Sequence, residues 1–299
     1  MAVFRAARYL PYDGPRSRFP AWWPILGSTV RRGWKSLWVR RITLASLMLA
    51  FGLMVFFYVL NKVVPDWRNL LRQFGEMSTG DEGTFRVDAR FYAALMSVFV
   101  IPILLPLALA FGSGLVASDL RSNAIEAYFA RPVTPLGYLF GRSLAFVGFL
   151  LAATLVPLLV VWGSDVTTAP SDHFDEVAGV PWGLTRSLVL IAVVVALLVQ
   201  AVATLTRNAT ATNVFLGVFF VFFQGLGQSL ARSTGRDAFR ALSFLDDVRV
   251  IGAANLGLLT PERAADLPPL HLAHGFVFGL GLLSFLLTWR ALRRRSMLA

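Results

Sequence analysis

The chain has 299 residues, of which 56% are hydrophobic and 15% charged, with a mean hydropathy of +0.64 and a formal net charge of +11. A composition this apolar is typical of a membrane protein, in which lipid replaces part of the protein core. The sequence contains no cysteine, which excludes disulfides, zinc–thiolate sites and thiol catalysis. No basic stripe is interleaved with aromatic residues on a soluble fold, so we expect no nucleic-acid partner.

Residues 1–41 are predicted to form a cytoplasmic basic arm followed by an amphipathic helix. Between residues 22 and 41, apolar side chains recur on one helical face: Leu26, Val30, Trp34, Leu37 and Trp38. Basic residues flank that face: Arg31, Arg32, Lys35 and Arg40. Tryptophan and basic residues on such a helix favour a position in the plane of the membrane surface, in contact with lipid. The alternative is a basic flank of the first span whose side chains reach back to the interface.

Six apolar stretches predict an all-α, polytopic domain over residues 42–292, followed by a basic tail, 293–299. The stretches cover 42–61, 91–117, 136–162, 184–205, 211–231 and 270–289, each about the length that crosses a bilayer. Arg142 lies near the start of the third, so we expect that helix to enter the membrane after it. No acidic residue falls within any stretch, which argues against a carboxylate-based proton relay. With no inverted repeat evident, a secondary transporter is disfavoured.

The charges predict the orientation. Nine basic residues and one acid, Asp13, precede the first stretch, and the segment after the sixth carries four arginines and no acid. The loop at 163–183 carries four acidic and no basic residues. The positive-inside rule therefore places both termini in the cytoplasm and the loops 62–90, 163–183 and 232–269 outside a bacterial cell membrane.

Several features of the spans and loops admit two interpretations. Pro102 and Pro106 predict a kink in the second span, either structural or the hinge of a gate. Gln224 and Gln228, one turn apart in the fifth, more often link helices than line a polar path. His271 and His274 lack a third ligand nearby, so we expect no metal site.

The external loops contain short helical patterns. We expect helices at 239–245 and 248–258 in the loop before the sixth span, and a surface helix near 67–74 in the first loop. The stretch TPERAADLPP, 260–269, is typical of a turn, a short helix and a proline stop.

The connection between the second and third stretches predicts a short amphipathic helix over 119–130, with Ser118 as its N-cap. Leu120, Ala124 and Tyr128 recur on one face, and Arg131-Pro132 ends the helix because the residue before proline disfavours the α conformation. A helix this small cannot form a core. It is either an interfacial strut or a docking element for a cytoplasmic partner.

The same connection resembles the best-known region of ABC-2 type transporter permeases. The matching residues are Asp119, Arg121, Glu126, Arg131-Pro132-Val133-Thr134, Tyr138-Leu139 and Gly141-Arg142. The layout is also similar: an amphipathic helix, six spans, cytoplasmic termini and a long external connection before the last span. The chain departs from the pattern at Asn123, Pro135 and Arg142, where glycine, arginine and lysine are usual.

The resemblance implies a permease energised by a separate ABC ATPase subunit, which would hold the ATP and Mg²⁺. The segment 119–131 would be the coupling helix, seated in a groove of that ATPase, in an assembly of two permeases and two ATPases. It would contact the ATPase through Asp119, Arg121, Glu126 and Tyr128, while Arg131 and Pro132 would set its angle to the third span. The interfacial helix, through Arg31, Arg32, Trp34, Lys35 and Trp38, would add a second contact. Pro102, Pro106, Gln224 and Gln228 would line the path between protomers.

We therefore expect a permease subunit that is not itself an enzyme. Export is expected rather than import, because most members of the family are exporters. The sequence contains no GxxxxGK[ST] pattern, so we expect no bound cofactor in this chain. The alternatives are a non-transporting membrane scaffold and, less well supported, an intramembrane enzyme. The substrate is left open, since lipid, amphipathic drug and peptide suit the apolar, aromatic spans equally.

Overall fold

The computed structural model describes residues 20, 22–63, 87–122, 124–129, 133–170, 173–259 and 267–296. Within these residues the regular structure is entirely helical. Six of the helices are long and apolar enough to cross a membrane, which confirms the predicted all-α, multi-pass architecture. Residues 1–19 of the basic arm, the predicted surface helix near 67–74 and most of the TPERAADLPP stretch lie outside the described residues.

The long helices begin where polar residues satisfy free backbone N–H groups. Asp88 accepts from the amides of Arg90 and Phe91, and Thr134 accepts from that of Gly137 at 3.0 Å. The helices are α1 Trp23–Lys35, α2 Leu37–Val63, α3 Ala89–Arg121, α4 Ala124–Phe129, α5 Pro135–Thr168, α6 His173–Val177, α7 Val180–Thr206, α8 Ala209–Thr234, a 3-10 helix Asp237–Leu242, α9 Phe244–Asn255 and α10 Leu270–Ser296.

Helix α7 forms the centre of the bundle. It packs against α3, α5, α8, α9 and α10. In the most apolar 18-residue segment of this span, 72% of the residues are buried, against 17–22% in the corresponding segments of α2, α8 and α10. The outer faces of those three helices carry exposed large apolar side chains, which is what lipid or another membrane protein requires.

Helix α3 is irregular around its two prolines. Two π-helical turns, Val100–Leu104 and Ala108–Gly112, interrupt it. Pro102 and Pro106 lack the N–H that would continue the α-helical pattern, and a π-helical turn is one way in which a helix accommodates such a site. Both prolines are exposed, so they do not face the core of the chain.

Successive long helices run antiparallel, which gives the bundle two ends. The α1 end holds α1, α4 and the turn at Arg207, and the α9 end holds α6 and α9. A small hydrophobic cluster lies at the α1 end, and a larger one fills the rest. The small cluster consists of Ile25, Val116, Ala117, Leu120, Ile125, Tyr138, Leu139, Ala203 and Leu292.

Three sequence-based boundaries were wrong. The predicted external loop 163–183 is largely helical, and Asp165 lies inside α5 with its side chain fully buried. No acid falls within the predicted stretch 136–162, but the helix extends beyond that stretch and includes Asp165. The amphipathic helix ends at Lys35, because Ser36 adopts an extended conformation, so Trp38 and Arg40 belong to α2. In the last loop, α9 starts earlier than expected because Ser243 caps it.

Candidate functional site: a buried ionic network at the α1 end

The segment 119–131, predicted to form one coupling helix, belongs in the structure to two separate helices, α3 and α4. Helix α3 continues through Arg121, and a separate short helix, α4, begins at Ala124. Ser118 is therefore not an N-cap but lies within the last turn of α3, where its carbonyl accepts from the amide of Ser122 at 3.0 Å. The longer α3 is favoured because it buries Leu120 in the small cluster at the α1 end.

Asp119 is buried, with 2% of its side chain exposed. One carboxylate oxygen, Oδ1, accepts from Arg32 Nη1 at 3.0 Å. The other, Oδ2, accepts from the Tyr138 hydroxyl at 2.7 Å and pairs with Arg142. The predicted surface contact of Asp119 with an ATPase is therefore replaced by contacts within the chain.

Arg142 is fully buried and completes the network. Its Nη2 pairs with Asp119 and its Nη1 donates to the Thr29 hydroxyl at 2.8 Å. Its guanidinium carbon lies 5.5 Å from the ring centroid of Tyr138 and 6.0 Å from that of Tyr128. A charge without water needs such partners, because its desolvation is otherwise strongly unfavourable.

These contacts join four elements. Thr29 and Arg32 come from α1, Asp119 from α3, Tyr128 from α4, and Tyr138 with Arg142 from α5. We call this set of six residues the ionic network. It ties the N-terminal helix to the end of α3 and the start of α5, the two helices that α4 connects.

Glycine allows α1 to approach α5 closely. A Cβ atom at Gly141 of α5 would lie 2.8 Å from the carbonyl oxygen of Trp22 and 3.3 Å from the side chain of Ile25. Any larger residue would separate the two helices. The face of α1 that meets α5 carries Ile25, Thr29 and Gly33, all buried.

The other predicted coupling residues differ in position. Arg121 is exposed at the end of α3, and Tyr128 is half-buried, with its ring centroid 5.5 Å from that of Tyr138. Glu126 belongs to α4, and nothing further is described of its side chain. Arg131 and Pro132 lie outside the described residues.

The predicted interfacial residues separate into two groups. Arg31, Trp34 and Lys35 of α1 and Trp38 of α2 point away from the core, with 58% of Trp34 and 64% of Trp38 exposed. Arg32 differs, because its guanidinium reaches Asp119 while about half of the side chain stays exposed. Arg32 therefore connects the buried charge of Asp119 to the surface.

The predicted path residues lie apart from this network. Helix α8 packs on α3 at Ala108–Gly112 and Ser113–Arg121. Pro102 and Pro106 precede those segments, and Gln224 and Gln228 lie toward the other end of α8. Gln228 lines a small polar cavity at the α9 end.

A second buried carboxylate, at the α9 end, was missed by the sequence interpretation. Asp165 Oδ2 accepts from the Tyr92 hydroxyl at 2.9 Å and lies 2.8 Å from His173 Nε2. His173 Nδ1 lies 3.5 Å from the exposed carboxylate of Glu176. The signal was an acid just past an apolar stretch and a histidine eight residues later, which we assigned to a loop.

The described residues contain no group of three or more metal-ligating side chains placed to hold a metal ion. His274 Nδ1 lies 3.0 Å from the carbonyl oxygen of Leu270, and its ring stacks on Phe278. The ionic network pairs charges between helices, through Arg32, Asp119 and Arg142. Such an arrangement can hold three helix ends together and pass a displacement of one to the others.

No protein-family model matches the chain, and a search of curated proteins finds no significant match.

Proposed function

We propose that the chain is the membrane-spanning permease subunit of an ABC-2 type exporter, energised by a separate ATPase. The observation that carries the proposal is the ionic network around Asp119. It ties the two helices that flank the short cytoplasmic connection, α3 and α5, to the amphipathic helix α1. The six apolar helices and the basic N-terminal segment support the same assignment.

The network gives the proposal a mechanical basis. An ATPase that pushes on Arg121 or on α4 would move the ends of α3 and α5 together, because Asp119 and Arg142 are paired between them. Helix α1 would move with them through Arg32 and Thr29. A small displacement at one contact then becomes a rigid-body movement of several helices, as in other coupled conformational changes.

Under this proposal the α1 end faces the cytoplasm of a bacterial cell, and both termini lie there. The chain itself binds no ATP, which the partner ATPase would hold with Mg²⁺. The exposed apolar faces of α2, α8 and α10 leave room for a second permease and for lipid. The path would then form between two copies, near the exposed prolines of α3.

Affinity purification from the native host tests the proposal. We would solubilise the tagged chain in mild detergent, identify the chains that co-purify and measure ATP hydrolysis. We expect a P-loop ATPase with the wild-type chain and its loss with Arg121→Glu, a charge reversal on the exposed end of α3. Tyr138→Phe, inside the network, should retain the ATPase.

The matched control is Arg207→Glu, which reverses an exposed arginine at the same end of the bundle, in the turn between α7 and α8. It should retain the ATPase. If the wild-type chain recovers no ATPase, or if the two reversals behave alike, the coupling role of Arg121 is contradicted. Stable recovery of other cytoplasmic proteins without ATPase activity would instead support a membrane scaffold.

A further inference from the structure

Helix α7 is largely buried, but a narrow stripe along its first half is exposed. The stripe consists of Trp182, Arg186, Val189 and Val193, spaced at i, i+4, i+7 and i+11. Residues at this spacing lie above one another on one face of a helix. Because α7 belongs to a candidate membrane span, the surroundings of this stripe are those of a bilayer.

Arg186 is stacked on Trp182. Its guanidinium carbon lies 4.9 Å from the ring centroid of Trp182, which is one turn nearer the start of α7. The charged group is therefore directed toward the end of the helix and away from Val189 and Val193. A long cationic side chain on a membrane span takes this direction to bring its charge to the level of the headgroups, where tryptophan is also enriched.

The length of α7 places Arg186 at the same level by an independent argument. Residues 187–206 contain no charged side chain, and Arg207 follows them in the turn at the α1 end. A helix of about 20 residues rises about 30 Å, which matches the hydrocarbon core of a bilayer. The two arginines therefore flank the part of α7 that crosses the hydrocarbon, with Arg186 in the headgroup layer at the α9 end.

The guanidinium of Arg186 has donors to offer a ligand. No hydrogen bond or ion pair joins Arg186 to a residue that the structure describes. A guanidinium has five N–H donors, and stacking on an aromatic face uses none of them. Arg249, at the same end of the bundle, differs because its charge is paired with Asp246. Arg186 thus presents an unpaired positive charge at the depth where lipid phosphates lie.

We propose that Trp182 and Arg186 bind the phosphate of a phospholipid in the leaflet at the α9 end. Phosphate oxygens accept two parallel hydrogen bonds from a guanidinium, which fixes the orientation of the headgroup. An acyl chain of the same lipid then runs along Val189 and Val193, which lie one and two turns deeper on the same face.

The partner is a lipid rather than a free phosphate, because the stripe joins a cation to an apolar surface. The site is independent of the proposed transport function, since binding of a lipid requires no ATPase.

The absence of cysteine from the sequence allows a local test of the proposal. A fluorophore attached to Leu190→Cys, a partly exposed position beside Val189, reports on this stripe alone. The labelled full-length protein in nonionic detergent is titrated with phosphatidylglycerol that carries brominated acyl chains, which quench the fluorophore on contact.

We expect saturable quenching in the labelled parent chain. Arg186→Gln should raise the half-saturating concentration of phosphatidylglycerol about tenfold, since one charge-assisted contact is removed. Arg186→Lys keeps the charge and should retain more of the affinity than Arg186→Gln. Diacylglycerol with the same brominated chains lacks the phosphate, so it should quench only at higher concentration and equally in the parent and in Arg186→Gln.

Arg236→Gln is the matched control. It removes the same charge from an exposed arginine just after α8, at the same end of the bundle, and should be quenched as the parent is. Identical titrations of the parent and Arg186→Gln would overturn the proposal, as would equal quenching by diacylglycerol and phosphatidylglycerol in the parent. Gel filtration of each variant separates lost binding from lost folding.

Discussion

The two ends of the bundle hold their buried carboxylates differently. At the α1 end, Asp119 has two arginines and a tyrosine hydroxyl as partners. At the α9 end, Asp165 has a tyrosine and a histidine as partners, and its second oxygen, Oδ1, has no hydrogen-bond partner within the described parts of the chain. Asp247 of α9 is fully buried, and neither of its oxygens has a hydrogen-bond partner among the described residues.

The difference predicts which end responds to pH. The partners that Arg32 and Arg142 supply to Asp119 are guanidinium groups, which are charged at every pH at which a protein folds. At the α9 end, burial, with a smaller contribution from the neighbouring Asp246, raises the pKa of Asp247 to about 8. We therefore regard the α1 end as a permanent ionic joint and the α9 end as the part of the molecule sensitive to protons.

Removal of Arg142 should have the largest effect. Arg142→Met leaves Asp119 buried with half of its charge compensation, and we expect a loss of about 3–5 kcal/mol in stability. Thermal unfolding in detergent would measure it, with the exposed Arg31→Met as control. The double variant Asp119→Asn/Arg142→Met should lose less than the sum of the two single losses. Additive losses would show that the two groups are not coupled.

The second prediction concerns Asp247. Its pKa in the folded chain is above the ordinary value of 3.8, so folding takes up a proton. The contribution to stability is full below pH 3.8, decreases by at most about 1.4 kcal/mol per pH unit as the pH rises, and is lost above about pH 8. Asp247→Asn should remove this slope.

Unfolding temperatures of the wild type and the Asn variant, measured from pH 5 to pH 9, test the second prediction. We expect the unfolding temperature of the variant to rise relative to that of the wild type up to about pH 8 and the difference to stay constant above it. Parallel curves would mean that the α9 end is no more sensitive to pH than the α1 end.

The third prediction is a smaller effect on stability, and it compares alanine substitutions at two glycines of α5. A Cβ at Gly141 meets the backbone of Trp22, whereas a Cβ at Gly148 meets nothing within 4 Å. Gly141→Ala should therefore loosen α1 and destabilise the chain by about 1–3 kcal/mol. Gly148→Ala should be neutral or stabilising, since alanine favours a helix over glycine. Chemical denaturation in detergent would measure the stability of both variants. Equal stabilities would contradict the close packing of α1 on α5.

The smallest expected difference between two matched variants is that between the two tyrosines. Tyr92→Phe removes one of the two hydrogen-bond partners of Asp165, whereas Tyr138→Phe leaves Asp119 with both arginines. We expect a loss of about 1.5–3 kcal/mol for the first and about 1 kcal/mol for the second. Thermal unfolding of both variants at one pH measures the difference. If Tyr138→Phe proved the more damaging, the contrast between the two ends would be wrong.

The sequence predicted what local chemistry determines. Long apolar stretches identified all six candidate spans, and the pattern after residue 232 predicted short helices in the last loop. The predicted spans were shorter than the helices. Polar residues such as Asp88 and Thr134 cap these helices outside the apolar stretch, so each helix begins before that stretch.

The ionic network could not be predicted in the same way. Arg32 and Asp119 are 87 residues apart, and their pairing depends on how α1 packs against α5. Asp119 was expected to contact an ATPase because its segment resembles the coupling region of ABC-2 type permeases. The useful signal was a pair: Asp119 and Arg142 lie near the facing ends of two spans joined by a short connection, where opposite charges can meet.

The positions of these residues along the chain also imply an order of assembly during synthesis. Asp119 leaves the ribosome before Arg142 and lies only 23 residues from it, so the arginine can be neutralised as α3 and α5 insert together as a hairpin. Arg32 is made first, yet its partner follows 87 residues later. Helix α1 can therefore dock only after the end of α3 and the start of α5 have been made. Its contact through Arg32 is also the one in the network that water reaches most readily, since about half of that side chain is exposed.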